Sequence, residues 1–123
     1  MTKPDAIHLS DDLLFASRVA ATAQAHGLRV ATVRDTAALL SRVGADSPAC
    51  VILDLQVAGT ALTGMIDALR QLPARSRIVG YGSHVDSTTL NAARVAGCDL
   101  VLPRSAFAER LEIDLPSWFS QSS

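Results

Sequence analysis

The run Ala49-Cys50-Val51-Ile52-Leu53-Asp54 sets the frame for the chain. It is apolar and rich in β-branched residues, has no turn residue inside it, and ends in a carboxylate followed by Leu55-Gln56-Val57-Ala58-Gly59. An unbroken apolar run of this length reads as a central strand of a parallel sheet, buried on both faces, where alternation disappears. Its last residue then lies at the carboxyl edge of the sheet, where open α/β folds place their chemistry. Asp54 is therefore the first candidate functional residue.

Four further strands are predicted around it, at residues 6–9, 28–33, 78–81 and 100–102. Arg29 and Thr32 place the second of these near a sheet edge, and Pro103, which has no N–H to donate, belongs at the exit of the last. Five helices alternate with the strands. The first starts at Ser10, Asp11 or Asp12, buries Leu14, Phe15, Ala16, Val19, Ala20 and Ala23, and closes at Gly27. The second starts at Asp35 or Thr36 and runs through Val43, with a loop over residues 44–48. The third holds Met65, Ile66, Ala68, Leu69 and Leu72 and stops at Pro73; residues 57–64 before it form a small-residue connection with no clear helix start. The fourth covers residues 87–96 with Leu90, Ala93 and Ala96 towards the sheet, and Gly97 closes it. The fifth is capped by Ser105 and contains Phe107, Ala108 and Leu111. Strands joined by helical crossovers require a parallel sheet with right-handed connections. The reading is one α/β domain over residues 1–123, with residues 1–4 a loose end and residues 112–123 an apolar C-terminal tail. Trp118 and Phe119 in that tail must pack back on the domain or meet a partner.

Only one Trp, one Tyr and three Phe accompany a hydrophobic share of 49%, so most of the core must be aliphatic. Eleven basic against twelve acidic side chains leave a net charge of -1, which provides no general attraction to nucleic acid or to an anionic membrane surface. No run reaches the roughly 18 to 20 apolar residues of a membrane span, and no apolar signal segment opens the chain. A cytoplasmic protein is expected. Cys50 and Cys98 show neither pairing nor metal-ligand spacing and read as free, partly buried thiols. Glycine-rich nucleotide loops are absent.

A parallel sheet brings the residues that follow each strand to one rim: Ser10, Asp11 and Asp12, then Asp54, then Gly82, Ser83 and His84, and finally Arg104. Carboxylates beside a positive group suit a hard divalent cation and a phosphoryl group, because oxygens ligate Mg²⁺ and the cation offsets charge on the phosphoryl oxygens. An aspartate can also be the nucleophile and become an acyl phosphate. Plainer readings exist for each: Asp11 or Asp12 as helix caps, Ser83 as a turn residue, Arg104 as a solvated charge, His84 as a loop histidine, and His8 and His26 as strand and helix-end histidines.

The order of elements and rim residues resembles the receiver domain of bacterial two-component response regulators, over almost the whole chain. Leu9-Ser10-Asp11-Asp12-Leu13-Leu14-Phe15 is similar to the family's acidic first-strand segment, and Val51-Ile52-Leu53-Asp54 to its phosphoacceptor segment. Ala96-Gly97-Cys98-Asp99 is similar to the stretch before the fifth strand, and counting seven residues on from Gly97 places Arg104 at the family's lysine. The resemblance implies a flavodoxin-like receiver fold, a parallel sheet of order 2-1-3-4-5 with helices on both faces. It further implies Asp54 as phosphoacceptor, Arg104 and Ser83 as contacts to the phosphoryl group, Mg²⁺ on Asp11, Asp54 and Asp12, and a histidine kinase or phosphotransfer protein as partner.

Several positions depart from the pattern. Ser10 replaces an acidic residue, and Gly82 falls where the family has Thr or Ser, unless a one-residue shift brings in Ser83. Arg104 presents a planar fork in place of a point charge. Ser105 replaces a proline, Val57-Ala58 replaces Met-Pro, and the switch-aromatic position falls near Val101, with Tyr81 elsewhere. The expectation is thus an atypical, degenerate receiver in a phosphorelay, with weak or absent Mg²⁺ binding and no turnover enzyme. The alternative is a phosphorylation-independent interaction or dimerisation module of the same fold, favoured by the weakly charged fourth helix and the Trp118-Phe119 tail. A small flavodoxin-like or hydrolytic enzyme is a third reading, without a visible nucleophile–base pair.

Overall fold

The computed structural model describes residues 3–119. Five parallel strands, β1 (Ala6–Leu9), β2 (Val30–Val33), β3 (Cys50–Asp54), β4 (Arg77–Gly82) and β5 (Leu100–Pro103), form one sheet of order β2-β1-β3-β4-β5. The helices are α1 (Leu13–Ala25), α2 (Thr36–Asp46), the short α3 (Leu55–Ala58), α4 (Leu62–Gln71), α5 (Ser87–Ala96) and α6 (Arg104–Phe119). A single 3₁₀ turn, Gly59–Ala61, joins α3 to α4. The expected fold class, strand order and central position of β3 are all present.

Side-chain alternation along the strands divides the core into two unlike layers. Ile7, Leu9, Val51, Leu53, Ile78 and Val101 face α2, α4 and α5, where Leu39, Val43, Ile66, Leu69 and Leu90 complete an aliphatic layer. The other face carries Ala6, Cys50, Ile52, Val79, Tyr81 and Leu102 against Phe15 and Val19 of α1 and Phe107, Leu111, Leu115 and Trp118 of α6. Every residue of β3 is buried, as its continuous apolar run requires.

Helix ends follow local chemistry. Asp12, Asp35 and Asp86 cap α1, α2 and α5 by accepting the amides of Phe15, Ala38 and Thr89. Gly27 and Gly97 take positive φ after α1 and α5, as expected of C-terminal glycines.

Several boundaries differ from the sequence reading. The helix α2 continues through Gly44 to Asp46 and ends at Ser47 in the left-handed region, so residues 44–46 are not loop. The small-residue connection is α3 plus the 3₁₀ turn, since Asp54 itself caps α3 and helical winding begins at once. Leu14 is 87% exposed; Phe15, Val19 and Ala23, spaced four apart, set the buried stripe of α1 and leave it outside. Ser105 does not cap the last helix, which starts one residue earlier at Arg104.

The expected tail is helical up to Phe119, passing through Pro116, and Trp118 and Phe119 are buried against the domain. Their burial removes them as an exposed contact surface; among the described residues the exposed large apolar side chains are Leu13, Leu14, Val85, Val95 and Ile113. Residues 1 and 2 of the loose end and residues 120–123 of the tail lie outside the described residues. No helix among the described residues is long and apolar enough to cross a membrane. Cys50 and Cys98 are free thiols, buried and half-buried, and burial pushes them up to about 12 and about 11.

Candidate functional site

The sheet delivers Asp54 to its carboxyl edge in register with Tyr81, which is in turn opposite Leu102. Asp54 is only 4% exposed. Its Oδ1 accepts the Gln56 amide at 2.9 Å. Burial pushes the carboxyl above its ordinary range; the amides of Gln56 and Val57 and the charge of Arg104 oppose this, and Asp11 adds to it. Asp11 is therefore close enough for its charge to be felt at Asp54, and it is itself exposed.

Asp54, Gln56, Tyr81, Gly82, Ser83, His84, Arg104 and Ser105 line a shallow pocket of about 220 Å³. Asp54, Arg104 and Ser83, expected to act together, thus share one concavity. Ser83 also serves the plainer turn role, with its Oγ 3.4 Å from the Val85 amide. Gly82 leaves the position open: a Cβ there would meet Leu55 and Leu90 at 3.5 to 3.6 Å, which is ordinary contact. The glycine is thus not forced by crowding.

Asp12 is placed otherwise than a free metal ligand would be. Its Oδ1 accepts the Phe15 amide at 3.0 Å and its Oδ2 accepts Arg104 Nη2 at 2.7 Å. These two bonds, the amide first, hold its carboxyl below the usual range. The Arg104 guanidinium lies with Cζ 4.3 Å from the centre of the Phe15 ring and 6.0 Å from that of Tyr81, a cation–π position on the first. Ser10 is buried, and its Oγ accepts the Asp12 amide at 3.1 Å, so its hydroxyl shapes the turn before α1.

A buried polar pair below the rim has no counterpart among the sequence-derived candidates. His8 and Tyr81 are fully buried, with His8 Nε2 2.8 Å from the Tyr81 hydroxyl, while His8 Nδ1 has no hydrogen-bond partner. Burial, followed by the charge of Arg104, lowers the histidine to about pH 4, so the ring is neutral. Burial and the nearby Asp54 charge raise the tyrosine. A histidine inside an apolar strand signals a partner, because buried polar groups are paired; which partner depends on register that the sequence does not specify. Tyr81 stacks on Phe107 at 4.6 Å and Phe107 on Trp118 at 5.1 Å, so an aromatic column runs from the rim to the end of α6. His26 bonds the Glu112 carbonyl at 2.9 Å, and His84 is exposed in its loop.

Among the described residues no three His, Cys, Asp or Glu side chains form a metal-binding group. The donor set that fits a hard cation is the pair Asp11 and Asp54, and Mg²⁺ is commonly held by one or two carboxylates with water and phosphate completing its shell. Asp12 already accepts one hydrogen bond on each oxygen, from Phe15 and Arg104, so a cation there would share its carboxylate with that pair.

No family model and no curated protein matches the sequence. Solved structures match by shape. A putative response regulator from Chloroflexus aurantiacus is 16% identical with a TM-score of 0.81, covering 98% of this chain and 100% of its own. The receiver domain of NtrX from Brucella abortus is 20% identical with a TM-score of 0.80, covering 96% and 100%; of a longer NtrX chain from that organism, this chain spans 26%. A Burkholderia pseudomallei response regulator, solved with a phosphorylated aspartic acid, a calcium ion and citrate, is 18% identical with a TM-score of 0.70, covering 91% and 68%. The chain therefore has the fold of response-regulator receiver domains across nearly its whole length.

Proposed function

We propose that this chain is a signal-transduction receiver of a two-component or phosphorelay system, with Asp54 as an inefficient phosphoacceptor. The observation that carries the reading is the place of Asp54, at the carboxyl tip of the central strand in a pocket shared with Arg104 and Ser83. The Burkholderia protein of the same fold was solved with a phosphorylated aspartic acid, a calcium ion and citrate. In the proposed step an Asp54 oxygen attacks the phosphorus of a partner's phosphohistidine. The new O–P bond forms as the P–N bond breaks, and the imidazole leaves. Asp11 and Asp54 would hold Mg²⁺, whose charge offsets that of the incoming phosphoryl oxygens.

Three features make the acceptor slow. Burial raises the Asp54 carboxyl above its ordinary range and so disfavours its charged, nucleophilic form. Gly82 offers no hydroxyl to the phosphoryl group, and Arg104 is engaged by Asp12. Beyond this single self-modification no turnover chemistry is proposed. The setting is the cytoplasm, in keeping with two free thiols, and the partner is a histidine kinase or phosphotransfer protein. The Asp12–Arg104 ion pair favours a second reading, a module of the same fold that binds another protein or a second copy without phosphorylation.

Incubation with a small phosphodonor and Mg²⁺ separates the two. The receiver reading expects one hydroxylamine-sensitive phosphoryl group per chain, lost in Asp54→Ala. No incorporation and no Mg²⁺ affinity would leave the second reading.

A further inference from the structure

The Arg104 guanidinium is fixed from two sides by the first turn of α1. Nη2 donates to Asp12 Oδ2 at 2.7 Å, and Cζ packs 4.3 Å from the Phe15 ring centre. Asp12 in turn accepts the amide of that same Phe15 at 3.0 Å. Arg104 is the first residue of α6, so this contact ties the start of one helix to the start of another. The same side chain lines the Asp54 pocket, within reach of its charge. A guanidinium has five donors, and a phosphoryl group is a strong acceptor for its fork. Asp12 is a rival acceptor in place before any phosphoryl group arrives.

We infer that Asp12 is a positioning residue that holds Arg104 against α1 and competes with the phosphoryl group for its guanidinium. The inference rests on the reading of Asp54 as acceptor and adds its regulation. Loading Asp54 exchanges a carboxylate oxygen for a phosphoryl oxygen as the partner of Arg104 and opens the α1–α6 ion pair; hydrolysis closes it. The side chains of both partners are about 40% exposed (41% and 39%), so the competition is modest. It corresponds to roughly two- to fivefold in affinity.

The test uses the whole chain, Asp12→Asn, Arg104→Ala and the double variant. Asn keeps the cap on Phe15 while removing the charge; Asp12→Ser serves if thermal unfolding shows that the Asn variant does not fold. Inorganic phosphate is titrated against the amide NMR signals of Gly82 and Ser83, and phosphoryl incorporation is measured separately. Asp12→Asn is expected to tighten phosphate binding by roughly two- to fivefold, with no gain in the Arg104→Ala background. Unchanged or weaker binding, or the same gain without Arg104, overturns the inference. Slower incorporation in Asp12→Asn than in the unaltered chain also overturns it, by marking Asp12 as a metal ligand. Tighter phosphate binding with no incorporation in any chain leaves the competition standing and removes Asp54 as acceptor.

Discussion

The two faces of the sheet are built from different materials. Towards α2, α4 and α5 the core is an aliphatic layer, with Leu53, Ile7 and Ile66 almost wholly buried. Towards α1 and α6 the strands present His8, Tyr81 and Asp54, and the helices answer with Phe15, Phe107, Trp118 and Arg104. The first layer can be explained by apolar burial alone. The second carries paired polar groups that cost stability unless satisfied, and these groups run up to the candidate site. The candidate site thus continues the α1–α6 face of the sheet, and that side is where a change at the rim should be felt.

Truncation in either layer should be severe, but only one should disturb the aromatic column. Phe107→Ala is expected to cost ~3–5 kcal/mol and Leu53→Ala ~2–5 kcal/mol in urea unfolding. Trp118 is the only tryptophan of the chain. Its native emission and near-ultraviolet dichroism should change in Phe107→Ala and stay constant in Leu53→Ala; equal spectra in both would erase the distinction between the layers.

The next effect belongs to the polar side alone. Folded His8 stays neutral down to about pH 4, whereas the unfolded chain protonates it near 6.5. Below pH 6.5 the unfolded state takes up the proton first, so stability falls as the pH drops from 6.5 towards 4, by about 3 kcal/mol in total. Unfolding free energies measured across that window should show this loss in the unaltered chain and not in His8→Leu. Removing only the hydroxyl, in Tyr81→Phe, leaves His8 without its hydrogen bond and should cost ~1–3 kcal/mol. Adding His8→Leu to Tyr81→Phe should recover much of that cost, since no buried donor or acceptor is then left unpaired. Full additivity of the two changes would show that the pair is not an interacting unit.

Two glycines of β4 give the smallest contrast. A Cβ at Gly80 would come within 3.0 Å of Leu55 Cδ2, whereas at Gly82 the nearest atom is 3.5 Å away. Gly80→Ala should therefore lower the melting temperature, by the equivalent of ~1 kcal/mol or more, and Gly82→Ala should leave it nearly unchanged. Equal losses would mean that the rim end of β4 is as tightly packed as its middle.

The fold was largely readable from the sequence because its signals are local. The run ending in Asp54 is apolar throughout, Gly27 and Gly97 close their helices, and Ser87–Ala96 follows an aspartate cap. Where no local signal exists the reading stopped: residues 57–64 contain neither a cap nor a period, and their winding follows from Asp54 capping its own helix. The rim was legible as a set of residues but not as a set of contacts. That Arg104 bonds Asp12 and packs on Phe15, or that His8 meets Tyr81 across 73 positions of sequence, depends on strand register and on α1 lying beside α6. The apolar tail was ambiguous for the same reason: the burial of Trp118 depends on α6 folding back so that its ring stacks on Phe107 within the α1–α6 cluster.

The decisive measurement is a pair of amide NMR spectra of the whole chain, with and without beryllium fluoride and Mg²⁺, a non-covalent mimic of the phosphoryl group on an aspartate. The expected result is a set of shifted signals at Asp54, Gly82 and Ser83 that extends through Tyr81, Arg104 and Phe107 to Trp118, while Leu39, Val43 and Ile66 on the aliphatic side stay in place. An unchanged spectrum, or shifts centred on α2 and α4, would contradict the assignment of the site to Asp54 and of its response to the α1–α6 face.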